Sequence, residues 1–163
     1  MVVLKNILVA TDFSEPSGVA LAYGRDLARS YGATLHVLHV VEDVTMRYGP
    51  EIGLVGADLQ KDLEKSSRRD LDALITADDR QTLKVVPTVE THVNVAAGIT
   101  GYAKANAIDL VIVGTHGRGV VQHFLMGSVA ERLVRSAPCP VLTVREHERE
   151  FIVPDALVSA AMA

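Results

Sequence analysis

The residue types and spacing best suited to chemistry lie between Asp109 and Ser128 of this 163-residue chain. An apolar run, Asp109-Leu110-Val111-Ile112-Val113, stops at Gly114. Gly117 follows after two intervening residues and Gly127 after nine more, and Ser128 then opens an amphipathic stretch. Glycine permits close backbone approach and left-handed conformations. A helix N-terminus presents N–H groups without intrahelical partners and the positive end of the helix dipole. A buried strand feeding a glycine-marked loop and then a helix start is therefore a candidate phosphate site. Any one of these glycines is better explained by a turn or a cap. Gly127 in particular either leaves room for a phosphate or answers a need for positive φ. The complete spacing favours the site.

A second cluster, Ala10-Thr11-Asp12, follows the first apolar run. In an open α/β sheet, ligands bind beyond the carboxyl ends of strands where the strand order reverses. If the first and fourth strands are neighbours, Ala10, Thr11 and Asp12 share one crevice with Gly114, Thr115 and Gly117. Asp12 would then accept from ribose hydroxyls or hold Mg²⁺ through water. A turn role, or a part in capping a helix near Ser14, explains Asp12 equally well. The connection from Gly114 to Met126 exceeds the usual 2–6 residues, and loops beyond ~12 are generally functional or mobile. Within it, Arg118 is able to pair with a phosphate, and a solvent-exposed arginine is the plain alternative. His116 and His123 lack the spacing and carboxylate partners of a metal site. His36 and His39 are three apart on a strand and so face opposite sides. No zinc site is expected.

Several enzyme signatures are missing. There is no G-x-x-x-x-G-K-[ST] run, and no lysine lies between Gly114 and Ser128. No G-x-S-x-G elbow surrounds Ser128. The first strand–helix turn, Thr11-Asp12-Phe13-Ser14, carries no G-x-G-x-x-G.

Positioning these clusters requires strands and helices in alternation. Leu4 to Val9, Thr34 to Val41, Leu83 to Val89, Asp109 to Val113 and Val141 to Val144 read as strands rich in Val and Leu. The first helix carries Val19, Ala22, Tyr23 and Leu27, with Ser14 as N-cap, Pro16 in the first turn and an end at Gly32. A second carries Leu59, Leu63, Leu71, Leu74 and Ile75 at helical spacing. Asn94 is able to cap a third, with Val95, Ile99, Tyr102 and Ala103 on one face. Gly98 and Gly101 oppose it by about 1 kcal/mol each. A fourth begins near Ser128 and stops before Pro138. This alternation predicts an α/β fold with a parallel sheet covered by helices on both faces. Tyr48 to Gly56 reads as a surface loop. Residues 1–145 form the expected domain, and 146–163, with Phe151-Ile152-Val153, a C-terminal tail.

Composition narrows the partners. A hydrophobic content of 48% with mean hydropathy +0.23 opposes disorder, and one domain of this length buries roughly 70% of its unfolded surface. No apolar run reaches the ~20 residues of a membrane span, and the opening residues carry no basic segment ahead of an apolar one, so no signal peptide is read. The single Cys139 excludes an internal disulfide and suits the cytosol, and it reads as a small buried hydrophobe. A net charge of −4, no tryptophan and 4% aromatics offer neither a basic track nor a stacking platform, so no nucleic-acid partner is expected. The basic stretch from Lys61 to Arg69 is interleaved with Asp62 and Glu64 and reads as a solvated helix face.

The residues Asn6-Ile7-Leu8-Val9-Ala10-Thr11-Asp12-Phe13-Ser14 resemble the opening of the universal stress protein family. Gly114-Thr115-His116-Gly117-Arg118 and Gly127-Ser128-Val129-Ala130-Glu131-Arg132-Leu133-Val134 resemble its closing motif, G-x2-G-x9-G-[ST]. Ala137-Pro138-Cys139-Pro140-Val141-Leu142-Thr143-Val144 resembles its last strand. The resemblance runs from about residue 3 to 145. It implies a single open five-stranded parallel sheet of order 3-2-1-4-5, as in adenine-nucleotide α-hydrolase-like folds, with the first and fourth strands side by side. It also implies ATP binding. Carried over, Asp12 sits by the ribose and the metal, and Val40 by the adenine. Gly114, Gly117, Gly127 and Ser128 surround the ribose and phosphates, with Ala10, Thr11, Thr115, Arg118 and Val129 completing the candidate set. Two departures stand out. After the arginine the family often reads Ser-Gly-Leu-Ser-Arg, where this chain has Gly119-Val120-Val121-Gln122-His123. That weakens charge compensation at a γ-phosphate. Before the third helix, a frequent Gly-x-Pro is Asn94-Val95-Ala96, a capping change.

The expectation is a cytoplasmic, ATP-binding regulatory stress-response protein with little or no turnover. ATP (or AMP or ADP) and Mg²⁺ are its ligands, and a protein partner is unnamed by the sequence. An apolar last strand at a sheet edge invites a homodimer through Val141 to Val144, unless the tail folds back over it. The alternatives are a slow ATP hydrolase or phosphotransferase, which lacks an obvious general base beyond Asp12, and a nucleotide-free dimeric scaffold.

Overall fold

The apolar runs form strands because alternate residues meet a helical layer on each side of one sheet. The computed structural model describes residues 1–48, 53–115 and 127–145. The strands are β1 (Asn6–Ala10), β2 (Thr34–Glu42), β3 (Lys84–His92), β4 (Leu110–Gly114) and β5 (Val141–Val144). All pair in parallel, in the order β3-β2-β1-β4-β5. The α/β class and the strand order agree with expectation, and β1 lies beside β4 with Leu8 opposite Val111. The helices are α1 (Glu15–Tyr31), α2 (Val44–Tyr48), α3 (Gly53–Leu74), α4 (Ala77–Thr82), α5 (Val95–Ala105) and α6 (Ser128–Ser136).

On one face, Ile7, Val9, Leu35, Val37 and Ile112 pack with Ala20 and Leu21 of α1, Leu71 of α3, and Ile75. On the other, Leu8, Ala10, Leu38, Val40, Val111 and Val113 pack with Ile99 and Tyr102 of α5 and Ala130 and Leu133 of α6. α1 lies close on β1 because Gly24 has no side chain; a Cβ there would collide with Val9 Cγ2. Gly98 does the same for α5, since its Cβ would stand 3.1 Å from both Val40 Cγ1 and His92 Cβ. This contact explains why a glycine costly to an isolated helix is kept. Gly32 ends α1 at φ 63, and the next N–H, of Ala33, returns to the Ala28 carbonyl at 3.0 Å.

Two long-range links tie the elements together. Asp109 Oδ2 accepts the N–H groups of Asn6 and Lys5 at 2.9 and 2.7 Å, which pins the start of β1 to β4. Those hydrogen bonds hold its carboxyl below the usual carboxylate range. Arg25 clasps Asp79 with Nε at 2.9 Å and Nη2 at 2.7 Å, joining α1 to α4.

Four expectations need correction. β1 and β3 run later than read, to Ala10 and to His92. The stretch from Tyr48 to Gly56 is helical at its described ends, because α2 reaches Tyr48 and α3 starts at Gly53. Gly56 is buried there, so tertiary packing overrides a poor helix propensity. On α3, Leu59 and Leu63 are exposed at 49% and 38%, and only the Leu71 end enters the core. The short α4 went unread. Its capping box is local: Thr76 Oγ1 accepts from Asp79 N, and Asp79 Oδ2 accepts from Thr76 N. The tail, 146–163, lies outside the described residues.

Candidate functional site

The sheet's switch point lies between β1 and β4, from which the chain winds outward in both directions. Beyond their carboxyl ends opens a cleft of about 310 Å³, at the lower end of ligand-pocket sizes. Its floor and one wall are apolar: Ala10, Leu38, Val40 and Val113 from the strands, Val95 and Ile99 from α5. Thr11, Asp12, Ser17, Thr115 and the start of α6 at Gly127, Ser128 and Val129 complete the lining.

Each polar residue has a definite position. The Thr11 N–H donates to Leu38 O at 2.9 Å, so the sheet ladder continues one residue past β1. Its hydroxyl lies 3.0 Å from Ser17 Oγ, and both residues are buried. Asp12 Oδ1 accepts the Ser14 N–H at 3.1 Å and also the Ser14 hydroxyl. The turn role, one of two open at the sequence level, is therefore filled. Because Ser14 Oγ is engaged in this way, Ser14 occupies the N-cap position of α1 without capping it through its side chain. Ser17 joins the site without any motif or spacing that marks it. It sits in the first turn of α1, with its hydroxyl 3.0 Å from that of Thr11.

The glycines divide by role. At Gly114, a Cβ would stand 3.0 Å from the Pro16 carbonyl carbon. Its smallness is thus answered by the backbone of α1, a reason invisible in the spacing. Gly127 has φ −67 and ψ 152. This extended backbone is open to any residue, and the suggestion that Gly127 meets a positive-φ requirement is overturned. Gly127 N–H donates to Thr115 O, while Thr115 N–H donates to Val144 O at 2.8 Å. Thr115 so ties the start of α6 to the ends of β4 and β5. Gly127 supplies no side-chain cap to α6, and the first turn of that helix lines the cleft. Ser128 is exposed, Val129 half-buried and Ala130 buried.

Thus Ala10, Thr11, Asp12, Val40, Gly114, Thr115, Gly127, Ser128 and Val129 come together in one cleft. Gly117, Arg118, His116 and His123 lie outside the described residues. No group of three or more His, Cys, Asp or Glu side chains able to hold a metal occurs among the described residues. His36 and His39 do face opposite sides. His36 Nδ1 meets Tyr102 OH of α5 at 2.9 Å, whereas the His39 ring lies against Phe13. Cys139 is half-buried, and burial pushes its thiol pKa up. Among the described residues, no helix is long and apolar enough to cross a membrane.

Strand order and cleft define an open, doubly wound α/β protein with its site at the switch point. The chain belongs to the universal stress protein family, which it matches over residues 4–145. It is 33% identical over 146 residues to universal stress protein A homolog 1 of Coxiella burnetii, covering 86% of this chain and 95% of that one. Its fold superposes with TM-score 0.74 on the universal stress protein UspA of Lactobacillus plantarum, at 24% identity, over 89% of this chain and 100% of the other. It also superposes, with TM-score 0.60 and 15% identity, on an Archaeoglobus fulgidus universal stress protein solved in complex with dAMP, over 88% of this chain and 99% of that one.

Proposed function

We propose that this chain is a regulatory protein that binds an adenine nucleotide, ATP with Mg²⁺, in the switch-point cleft and turns it over little or not at all. The observation that carries the reading is the polarity of the cleft. Its lining joins the apolar side chains of Val40, Val95 and Ile99 to the N-terminus of α6, where Gly127 supplies no side-chain cap. A nucleotide joins two matching parts, a flat base at one end and phosphates at the other. β2 adds a means of recognising the base. Leu38 directs its carbonyl to Thr11, and Val40, two residues on, turns its main chain to the same side. β1 has ended there, so a ligand edge takes the place of a strand. The relation to a universal stress protein solved with dAMP supports an adenine ligand.

Asp12 and a phosphate group in the same cleft repel each other, and a divalent cation removes that repulsion. Mg²⁺ is commonly held by one or two carboxylates together with substrate phosphates. Asp12 fits that donor set, with the nucleotide supplying the remaining oxygens. Among the described lining residues, Asp12 is the only ionisable side chain, and its Oδ1 already accepts from Ser14. Among the described residues, no second side chain that could act as a general base lines the cleft, and binding with little turnover is the reading we favour. Residence in the cytoplasm, a homodimer formed through β5 and an unnamed protein partner belong to the same reading.

The test is titration calorimetry with Mg-ATP, alongside denaturation of purified protein and analysis of what it releases. Saturable heat, competition by ADP or AMP, and released ATP are expected. ADP accumulating at catalytic stoichiometry would move the protein to the hydrolase class. No heat and no released nucleotide would leave the dimeric scaffold.

A further inference from the structure

The turn from Thr11 to Ser14 is held by more contacts than a cleft wall requires. Phe13 has φ 64, a left-handed conformation rare for a bulky side chain. Such a backbone persists only where its surroundings over-determine it. The Phe13 N–H donates to Thr11 Oγ1 at 3.1 Å, and Ser17 Oγ donates to Ser14 O at 2.8 Å. From the neighbouring strand β2, His39 Nδ1 stands 2.8 Å from the Thr11 carbonyl oxygen. Its ring lies against that of Phe13, centroids 4.4 Å apart and planes tilted by 37°. A carbonyl oxygen only accepts, so Nδ1 carries the proton and donates. His39 therefore holds both flanks of Asp12, the carbonyl before it and the side chain after it. His39 itself lies on the face of β2 opposite Leu38 and Val40 and does not line the cleft.

We propose that His39 is a positioning residue for nucleotide binding: it fixes Thr11 and Phe13 and through them aims the Asp12 carboxylate into the cleft. The proposal rests on the nucleotide-binding reading and goes beyond it in assigning a role to a side chain outside the site. In this proposal His39 acts chiefly through Asp12, so its loss should matter most while Asp12 is present. An asparagine at this position keeps an N–H near the place of Nδ1. A glutamine moves it outward, toward the place of Nε2.

The experiment is calorimetric titration of Mg-ATP into the wild type, Asp12→Ala, His39→Leu, His39→Asn, His39→Gln and the Asp12→Ala, His39→Leu pair. Melting without nucleotide reports folding. The wild-type titration alone tests the nucleotide-binding reading, and a wild type that binds nothing removes both proposals. With binding present, His39→Leu is expected to weaken affinity about 5- to 10-fold, the size of one lost neutral hydrogen bond. In the Asp12→Ala background the same change should cost less than about twofold. His39→Asn should bind within about threefold of wild type, and His39→Gln more weakly than His39→Asn. Equal loss from His39→Leu in both backgrounds overturns the proposal, as does wild-type affinity in His39→Leu. If His39→Leu fails to fold, equal affinities for His39→Asn and His39→Gln overturn it.

Discussion

Replacing Gly127 by valine separates ligand contact from backbone need. Gly127 has φ −67 and ψ 152, a backbone that valine adopts readily, so no left-handed strain arises. The position is already an N-cap without a side-chain acceptor. Exchanging glycine for valine there should cost about 1 kcal/mol. For a chain of this size that lowers Tm by about 2–4 °C. The ligand effect is larger. Gly127 lines the cleft ahead of the first-turn N–H groups of α6, and a branched side chain stands where a phosphate must approach. With Mg-ATP at 100 times Kd, wild type gains about 2.7 kcal/mol, or roughly 5–10 °C. The assay is a pair of thermal melts, with and without Mg-ATP. The variant should melt slightly below apo wild type and ignore the nucleotide. A full nucleotide shift in Gly127→Val would refute the phosphate assignment. An apo loss beyond about 3 kcal/mol would show that the backbone, not the ligand, requires glycine.

Other consequences follow from particular contacts. Asp79→Asn leaves the Arg25 guanidinium, 21% exposed, without its counter-charge and should cost about 2–3 kcal/mol in urea unfolding. Burial alone would raise the Asp79 carboxyl, but hydrogen bonds from Arg25 and Thr76 hold it below its ordinary 3.8. Its contribution is thus complete above that value and lost as pH falls through the lower folded one, an acid limb absent from Asp79→Asn. Burial pushes the His36 imidazole below 6.5, so the folded state resists a proton that the unfolded state takes. Stability should fall as pH drops below 6.5 toward the lower folded value, and His36→Asn should flatten that slope in pH-dependent unfolding. Thr143→Pro should break a β5-mediated homodimer without unfolding the protein. Pro140 and Val144 direct their carbonyls to β4, so Thr143, of opposite parity, turns its N–H to the open edge. Light scattering that shows an unchanged dimer would refute pairing through β5.

The strands and most helix ends were legible because local physics decides them. Val- and Leu-rich runs become strands wherever both faces are covered, Asn94 caps α5 through Ala97 N, and Gly32 ends α1 at positive φ. The T-x-x-D capping box of α4 is equally local. The candidate cleft was legible in outline, since a glycine after one strand and an aspartate after another mark the switch point in a chain with this alternation. What the spacing left undecided were the reasons behind the residues. Asp12 had two roles open until the turn placed Ser14 on its Oδ1. Gly114 owes its smallness to Pro16, and Gly98 to Val40 and His92.

By itself, then, the sequence determined the five strands, the main helices between them and which strand ends carry polar residues, since each depends on neighbours within a turn or a pleat. Only the tertiary structure decided what depends on contacts between distant segments. Among these are Arg25 on Asp79 across 54 positions, Leu59 and Leu63 facing solvent, and Phe13 held in a left-handed turn against His39. Periodicity tells which side of an element is apolar. Only packing tells what that side meets, because the meeting surfaces come from residues that no local rule relates.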